Sequence, residues 1–117
     1  MKTLNIGIVG TGSASSMHFD VLKQLLGVLP RAVCGRDEVR LSLKQLEWGI
    51  SAYSSVVEMV QNEKLDILLI ANENFNHAAD ACLAIKAGAH VLVEKPLDGS
   101  LSSAKELLTF AKLHNKI

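Results

Sequence analysis

The stretch "IVGTGSASSMH", residues 8–18, carries an apolar strand into Gly10, Thr11 and Gly12 and then into a helix-forming segment. Gly10 permits a tight turn after the strand, and Gly12 lets backbone approach a bound group closely. Free N–H groups at the start of the following helix face the turn, so the ligand chemistry they favour is that of a phosphate or pyrophosphate. Thr11, Ser13, Ala14 and Ser15 complete the loop. Ser15 stands where a G-x-G-x-x-G/A turn has its third small residue, and it adds a hydroxyl where helix and strand pack closely. Any tight strand-to-helix turn wants glycine, so the strand before and the helix after give this pattern its weight as a nucleotide site.

The second strand ends in "CGRD". In a dinucleotide site a carboxylate at this place accepts hydrogen bonds from the adenosine ribose and repels a 2′-phosphate, which selects NAD over NADP. If the strand ends at Cys34, the place belongs to Gly35 and is followed by Arg36, which can pair with a 2′-phosphate. A charge-assisted hydrogen bond of about 1.5–3 kcal/mol then gives at least tenfold preference for NADP, the first choice. If the strand runs further, Asp37 takes the role and NAD returns. In a third reading Arg36 and Asp37 are a solvated loop.

Two more strands end in polar clusters, "IANENFNH" at residues 70–77 and "VEKP" at residues 93–96. Asn74 or Asn76 can cap the next helix, His77 falls in its first turn, and Pro96 stops its strand. Capping does not account for Glu94 and Lys95 at the carboxyl edge of the sheet, where the ligand of a doubly wound fold lies. His18 and His77 read as helix-surface or capping residues rather than catalysts.

The elements that position these residues follow from apolar patterning. Runs of strand length at Leu4 to Val9, Ala32 to Cys34, Asp66 to Ala71 and Val91 to Val93 alternate with segments of helical period, with Tyr53 on a brief edge strand. Unbroken apolar strands such as "DILLIA" and "HVLVE" require cover on both faces, which predicts an α/β, doubly wound parallel sheet of order 3-2-1-4-5. The helices are expected to bury Met17, Val21 and Leu25; Val39, Leu43 and Leu46; Ala78, Cys82 and Ile85; and Ala104, Leu108 and Ala111. Ser55 with Glu58 has capping-box spacing, and Ser100 is a cap for the last helix.

The 117 residues form one domain, 1–117, able to bury roughly 60–70 per cent of the surface of its unfolded chain. Lysine plus arginine equals aspartate plus glutamate at twelve each, with no run of either sign. Such a chain has no field to draw nucleic acid or an anionic membrane. Cys34 and Cys82 read as buried free thiols rather than a disulfide or metal pair. That usage, and the lack of a signal peptide or membrane span, predicts a cytoplasmic protein with no metal site.

On the residues quoted above, the chain resembles the N-terminal nucleotide-binding domain of the glucose-fructose oxidoreductase, inositol dehydrogenase and rhizopine catabolism (Gfo/Idh/MocA) family over essentially its whole length. The G-x-G-x-x-A-x-x-H loop of that family is matched by Gly10, Gly12 and His18, with Ser15 in place of alanine. Its T-P-N-x-x-H loop is matched by Asn74 and His77, with Asn72 and Glu73 in place of threonine and proline. E-K-P is intact as Glu94, Lys95 and Pro96, followed by Leu97. The resemblance implies a Rossmann fold that binds NADP or NAD, and hydride transfer between the nicotinamide and a hydroxyl carbon of a sugar or polyol. It implies that Lys95 touches the substrate hydroxyl and assists its proton transfer, that Glu94 and Asn74 line the nicotinamide ribose, and that Asn72 belongs to the cofactor contacts. A lysine beside a cationic nicotinamide ring is pushed toward neutrality, which suits proton exchange.

Members of the family also carry a larger substrate domain, and these 117 residues hold none of it. The expectations are a piece of a longer enzyme, a chain working with a separately encoded substrate domain, or a non-catalytic nucleotide-binding, sensor or scaffold module. Catalysis by this chain alone is not expected. A methyl transferase reading is disfavoured by E-K-P and by the absence of an acid at Gly35. The strand "HVLVE" becomes an apolar edge, and such edges pair with another chain, which predicts a homodimer.

Overall fold

The computed structural model describes residues 3–71, 77–93, 109 and 111–116, the side chains of Ser13, His77 and Ala78 excepted. Strands β1 (Leu4–Val9), β2 (Val28–Cys34), β3 (Ser51–Tyr53), β4 (Ile67–Ile70) and β5 (His90–Val93) alternate with helices α1 (Ser13–Leu22), α2 (Glu38–Trp48), α3 (Val56–Glu63) and α4 (His77–Lys86). All strand pairs are parallel and the sheet order is β3-β2-β1-β4-β5, the doubly wound order expected from the sequence. The order reverses between β1 and β4, which opens a crevice beyond their carboxyl ends.

Right-handed crossovers place α1 and α2 on one face of the sheet and α3 and α4 on the other. On the α3/α4 face, Val9, Cys34, Leu68 and Ile70 of the strands pack against Val56, Met59 and Val60 of α3 and Ala81, Ala84 and Ile85 of α4. On the α1/α2 face the buried cluster is smaller: Ile8, Leu69 and Phe19, edged by Leu22, Trp48 and Ile50. The rings of Phe19 and Trp48 stack at 4.5 Å, and Lys44 Nζ donates to Ser16 Oγ at 2.8 Å, so α1 and α2 are joined side by side.

Local chemistry explains most boundaries. Ser55 Oγ accepts a hydrogen bond from the Glu58 N–H at 3.3 Å and starts α3 where the capping-box spacing puts it. Strand β2 begins at Val28, earlier than Ala32, and so contains Pro30. That proline pairs only toward β1, next to a register shift at Ile6/Gly7, because β3 joins β2 from Ala32 onward. Its missing N–H therefore leaves no gap in the ladder to β3.

The expected buried faces of the first two helices are wrong. Met17, Val21 and Leu25, and likewise Val39, Leu43 and Leu46, are exposed, and α1 ends at Leu22, before Leu25. Ser15, Phe19 and Leu22 turn inward from α1, and Leu41 and Trp48 from α2. Helical spacing reveals that an apolar stripe exists but not its phase; the phase is set by how the chain enters the helix, at the glycine turn for α1 and at the Asp37 cap for α2. In α4, Ile85 is buried as expected, with Ala81 and Ala84 beside it and Cys82 only partly buried. Of the fourth helical set, Ala111 packs against the α3/α4 core, and Ala104 and Leu108 lie outside the described residues. No helix among the described residues is long and apolar enough to cross a membrane.

Candidate functional site

The site is built on the carboxyl ends of β1, β2 and β4. Gly10 leaves β1 with φ +124°, a left-handed value that side chains rarely adopt. A Cβ there would lie 2.6 Å from Ser15 Oγ and 2.9 Å from the Ala71 carbonyl. Conformation and space both require glycine at this point. Gly12 is different. Its φ of −92° and ψ of −169° are extended, and a Cβ would meet nothing within 4 Å. Nothing in the described fold requires glycine at this position, and the space in front of it is open.

That space faces the N-terminus of α1, where Gly12 supplies no capping side chain and the first turn carries no acid. Beneath it, Ser15 is fully buried and its Oγ has no hydrogen-bond partner among the described residues. Uncapped N–H groups and a missing Cβ fit a pyrophosphate, whose oxygens supply the acceptors. Thr11 and Ala14 line the same cleft of about 650 Å³; Ser13 opens α1.

The cleft continues over the end of β2. This strand stops at Cys34, and Gly35 occupies the place of a ribose-binding carboxylate. A Cβ on Gly35 would sit 2.9 Å from Thr11 Cγ2, so a side chain there would require the Thr11 methyl to move. Asp37 also lines the cleft, and its Oδ1 accepts from the N–H groups of Val39 at 3.0 Å and Arg40 at 3.2 Å, as the N-cap of α2. Strand β2 thus ends before Asp37, whose Oδ2 stays beside Arg40 at the cleft.

Arg36 and Arg40 both line the cleft. Arg36 Nη2 lies 3.6 Å from Oδ1 of Asp80, and the Arg40 Nε lies 3.9 Å from Oδ2 of Asp37. Burial pushes the Cys34 thiol up to about 11; the Asp80 carboxylate adds to this and the Arg36 guanidinium opposes it. Ser54 and Ser55, before α3, and Leu83 of α4 complete the wall.

Of the residues singled out in the sequence, the structure brings Gly10, Thr11, Gly12, Ala14, Gly35, Arg36 and Asp37 to one cleft, with Ser15 under its floor. His18 is half-buried on α1, and His77 is the first residue of α4. Asn72, Asn74, Glu94 and Lys95 lie outside the described residues, as does Ser100. Sequence reasoning missed Asp80. Its signal was a single acid in the first turn of the otherwise apolar "HAADACLAI", an anomaly that only burial makes significant. Among the described residues no group of three or more His, Cys, Asp or Glu side chains could hold a metal ion.

Similarity to known proteins agrees with this geometry. A myo-inositol 2-dehydrogenase of Thermotoga maritima is 26% identical over 110 residues, covering 93% of this chain and 33% of the relative. The structure of biliverdin reductase from Synechocystis, solved with biliverdin and NADP+, matches with a TM-score of 0.90 and 28% identity, over 97% of this chain and 36% of that one. Myo-inositol 2-dehydrogenase from Lactobacillus plantarum matches with a TM-score of 0.88 and 28% identity, over 99% of this chain and 35% of that one. The chain thus spans about a third of the length of the proteins it matches. With a family model for the NAD-binding Rossmann fold matching residues 4–117, the chain belongs to the Gfo/Idh/MocA oxidoreductase family.

Proposed function

We propose that this chain is the dinucleotide-binding part of an oxidoreductase that prefers NADP and exchanges hydride with a hydroxyl carbon of a sugar or polyol. The observation that carries the cofactor preference is the end of β2. Gly35 stands in the place of the ribose-binding carboxylate, Asp37 lines the cleft with its Oδ1 spent on the α2 cap and its Oδ2 beside Arg40, and Arg36 and Arg40 are the positive charges that a 2′-phosphate meets. Gly10, Gly12 and the start of α1 hold the pyrophosphate, and Ser15 supports the turn from beneath, a Cβ on Gly10 falling 2.6 Å from its Oγ. The inositol dehydrogenases among the relatives support a polyol substrate. Bound nicotinamide supplies the hydride acceptor or donor. Lys95 holds and moves the proton of the substrate hydroxyl, Asn74 and Glu94 line the nicotinamide ribose, and Asn72 is a further cofactor contact.

The substrate pocket is supplied by a further domain, on the same or a separate chain, or the chain associates with a second copy. Leu92 of β5 supports such association: β5 pairs only with β4 among the described residues, and Leu92 is 59% exposed. The reducing compartment that suits two free cysteines is the cytoplasm. Parallel calorimetric titrations with NADPH and NADH test the reading. Micromolar binding that favours NADPH is expected; tighter binding of NADH removes the NADP preference, and no binding of either removes the nucleotide site.

A further inference from the structure

Asp80 is an unusual residue for this cleft. It sits in the first turn of α4, on the opposite side of the sheet from the glycine helix, and its carboxylate is only 4% exposed. A carboxylate so buried persists where cations and hydrogen bonds hold it. One of those cations is Arg36, whose guanidinium stands 3.6 Å away while two-thirds of its side chain faces solvent at the cleft. Asp80 also acts on the thiol of Cys34, the last residue of β2, which places its charge beside the strand end that lacks a carboxylate.

We infer that Asp80 is a specificity-determining residue that works against the 2′-phosphate: α4 supplies from the far side a negative charge where Gly35 offers none, and it moderates the preference set by Arg36. This rests on the dinucleotide reading above and deepens it. A 2′-phosphate drawn to Arg36 must share that guanidinium with a carboxylate already beside it, and the two anions repel. The 2′-hydroxyl of NAD carries no charge and meets no such opposition. Asp80 touches neither the phosphate nor the reacting atoms in this scheme; it positions Arg36 and sets the charge that Arg36 presents.

The test is the ratio of NADPH to NADH affinity, measured by calorimetry on the full chain. Both nucleotides carry the pyrophosphate, so its response to a lost charge cancels in the ratio. Asp80→Asn keeps the shape and removes the charge, and is expected to raise the ratio roughly fivefold or more. Asp80→Glu, which restores the charge, should return it to within about twofold of the wild-type value. Should Asp80→Asn not fold, Asp80→Ser is smaller, equally uncharged and carries the same expectation.

A second measurement reads the pair without a ligand. Arg36→Ala should lower the melting temperature by leaving Asp80 without that cation, and Asp80→Asn in the same chain should recover most of the loss. An unchanged or lowered ratio in the uncharged variants, with wild-type protein binding both nucleotides, overturns the role of Asp80 and leaves the nucleotide site standing. Failure of the wild-type chain to bind either nucleotide overturns both.

Discussion

The two faces of the sheet are built on different principles. On the α3/α4 face, strand residues meet Met59, Val60, Ala84 and Ile85 in a continuous apolar core, and the outward residues of those helices are mostly polar. On the α1/α2 face the core shrinks to Ile8, Leu69 and Phe19, and the helices are tied by an aromatic stack and the Lys44 to Ser16 hydrogen bond. Their apolar rows, Met17 and Val21 on α1 and Val39, Leu43 and Leu46 on α2, face outward. A row across the sheet shows the same thinning: Ile8, Leu69 and Leu92 are in register on neighbouring strands, and their exposure rises from 0% to 3% to 59% toward the edge. The thick face supplies stability, and the thin face is shaped by the glycine turn that it must hold.

The largest test of this contrast is Met59→Ala. The side chain is fully buried between α3 and the strands, so its loss should cost about 2–5 kcal/mol in denaturant unfolding. A cost below about 1 kcal/mol would mean that the α3/α4 face is not the stabilising one. Next come the two glycines of the turn, which should separate fold from ligand. Gly10→Ala, forced into a left-handed conformation against the Ala71 backbone, should cost about 1–3 kcal/mol. Gly12→Thr keeps a residue equally suited to the helix cap and puts atoms into open space. It should leave the melting temperature alone and weaken dinucleotide binding about tenfold or more; equal effects on both properties would show that Gly12 is architectural.

Cys34 gives a chemical probe of the site end of the thick face. Because burial raises its thiol from the ordinary 9.0 to about 11, the folded chain keeps a proton that the unfolded chain loses. The sign follows: Cys34 leaves stability unchanged below about pH 9 and lowers it progressively between about pH 9 and 11. Its thiolate fraction at pH 8 should be about a hundredfold below that of an unperturbed thiol, measurable as slow alkylation beside the partly exposed Cys82. The smallest effect is expected on the thin face. Met17→Ser changes an outward side chain and should shift stability by less than about 0.5 kcal/mol. A larger loss at high protein concentration alone would show that this row is covered in an assembly.

Local chemistry made part of this molecule legible in its sequence. Strand order, the brief strand at Tyr53, the Ser55 cap and the glycine turn all follow from apolar runs, capping spacing and the special conformations of glycine, properties that act over a few residues. The phase of α1 and α2 was not legible, because an apolar stripe outside and one inside have the same period. The choice between Gly35 and Asp37 stayed open for a similar reason: it turns on where the strand stops, and that is fixed by where β3 and the α2 cap meet β2.

What the sequence determined by itself is the alternation of elements, the motifs that carry the family resemblance, and the presence of phosphate-turn glycines, since each is written in short-range pattern. What only the tertiary structure decided is the different duty of Gly10 and Gly12, the closure of Gly35 by Thr11, and the meeting of Arg36 with Asp80. Arg36 and Asp80 lie on different elements far apart in the chain, and no local periodicity records which side chains a folded sheet brings within 3.6 Å.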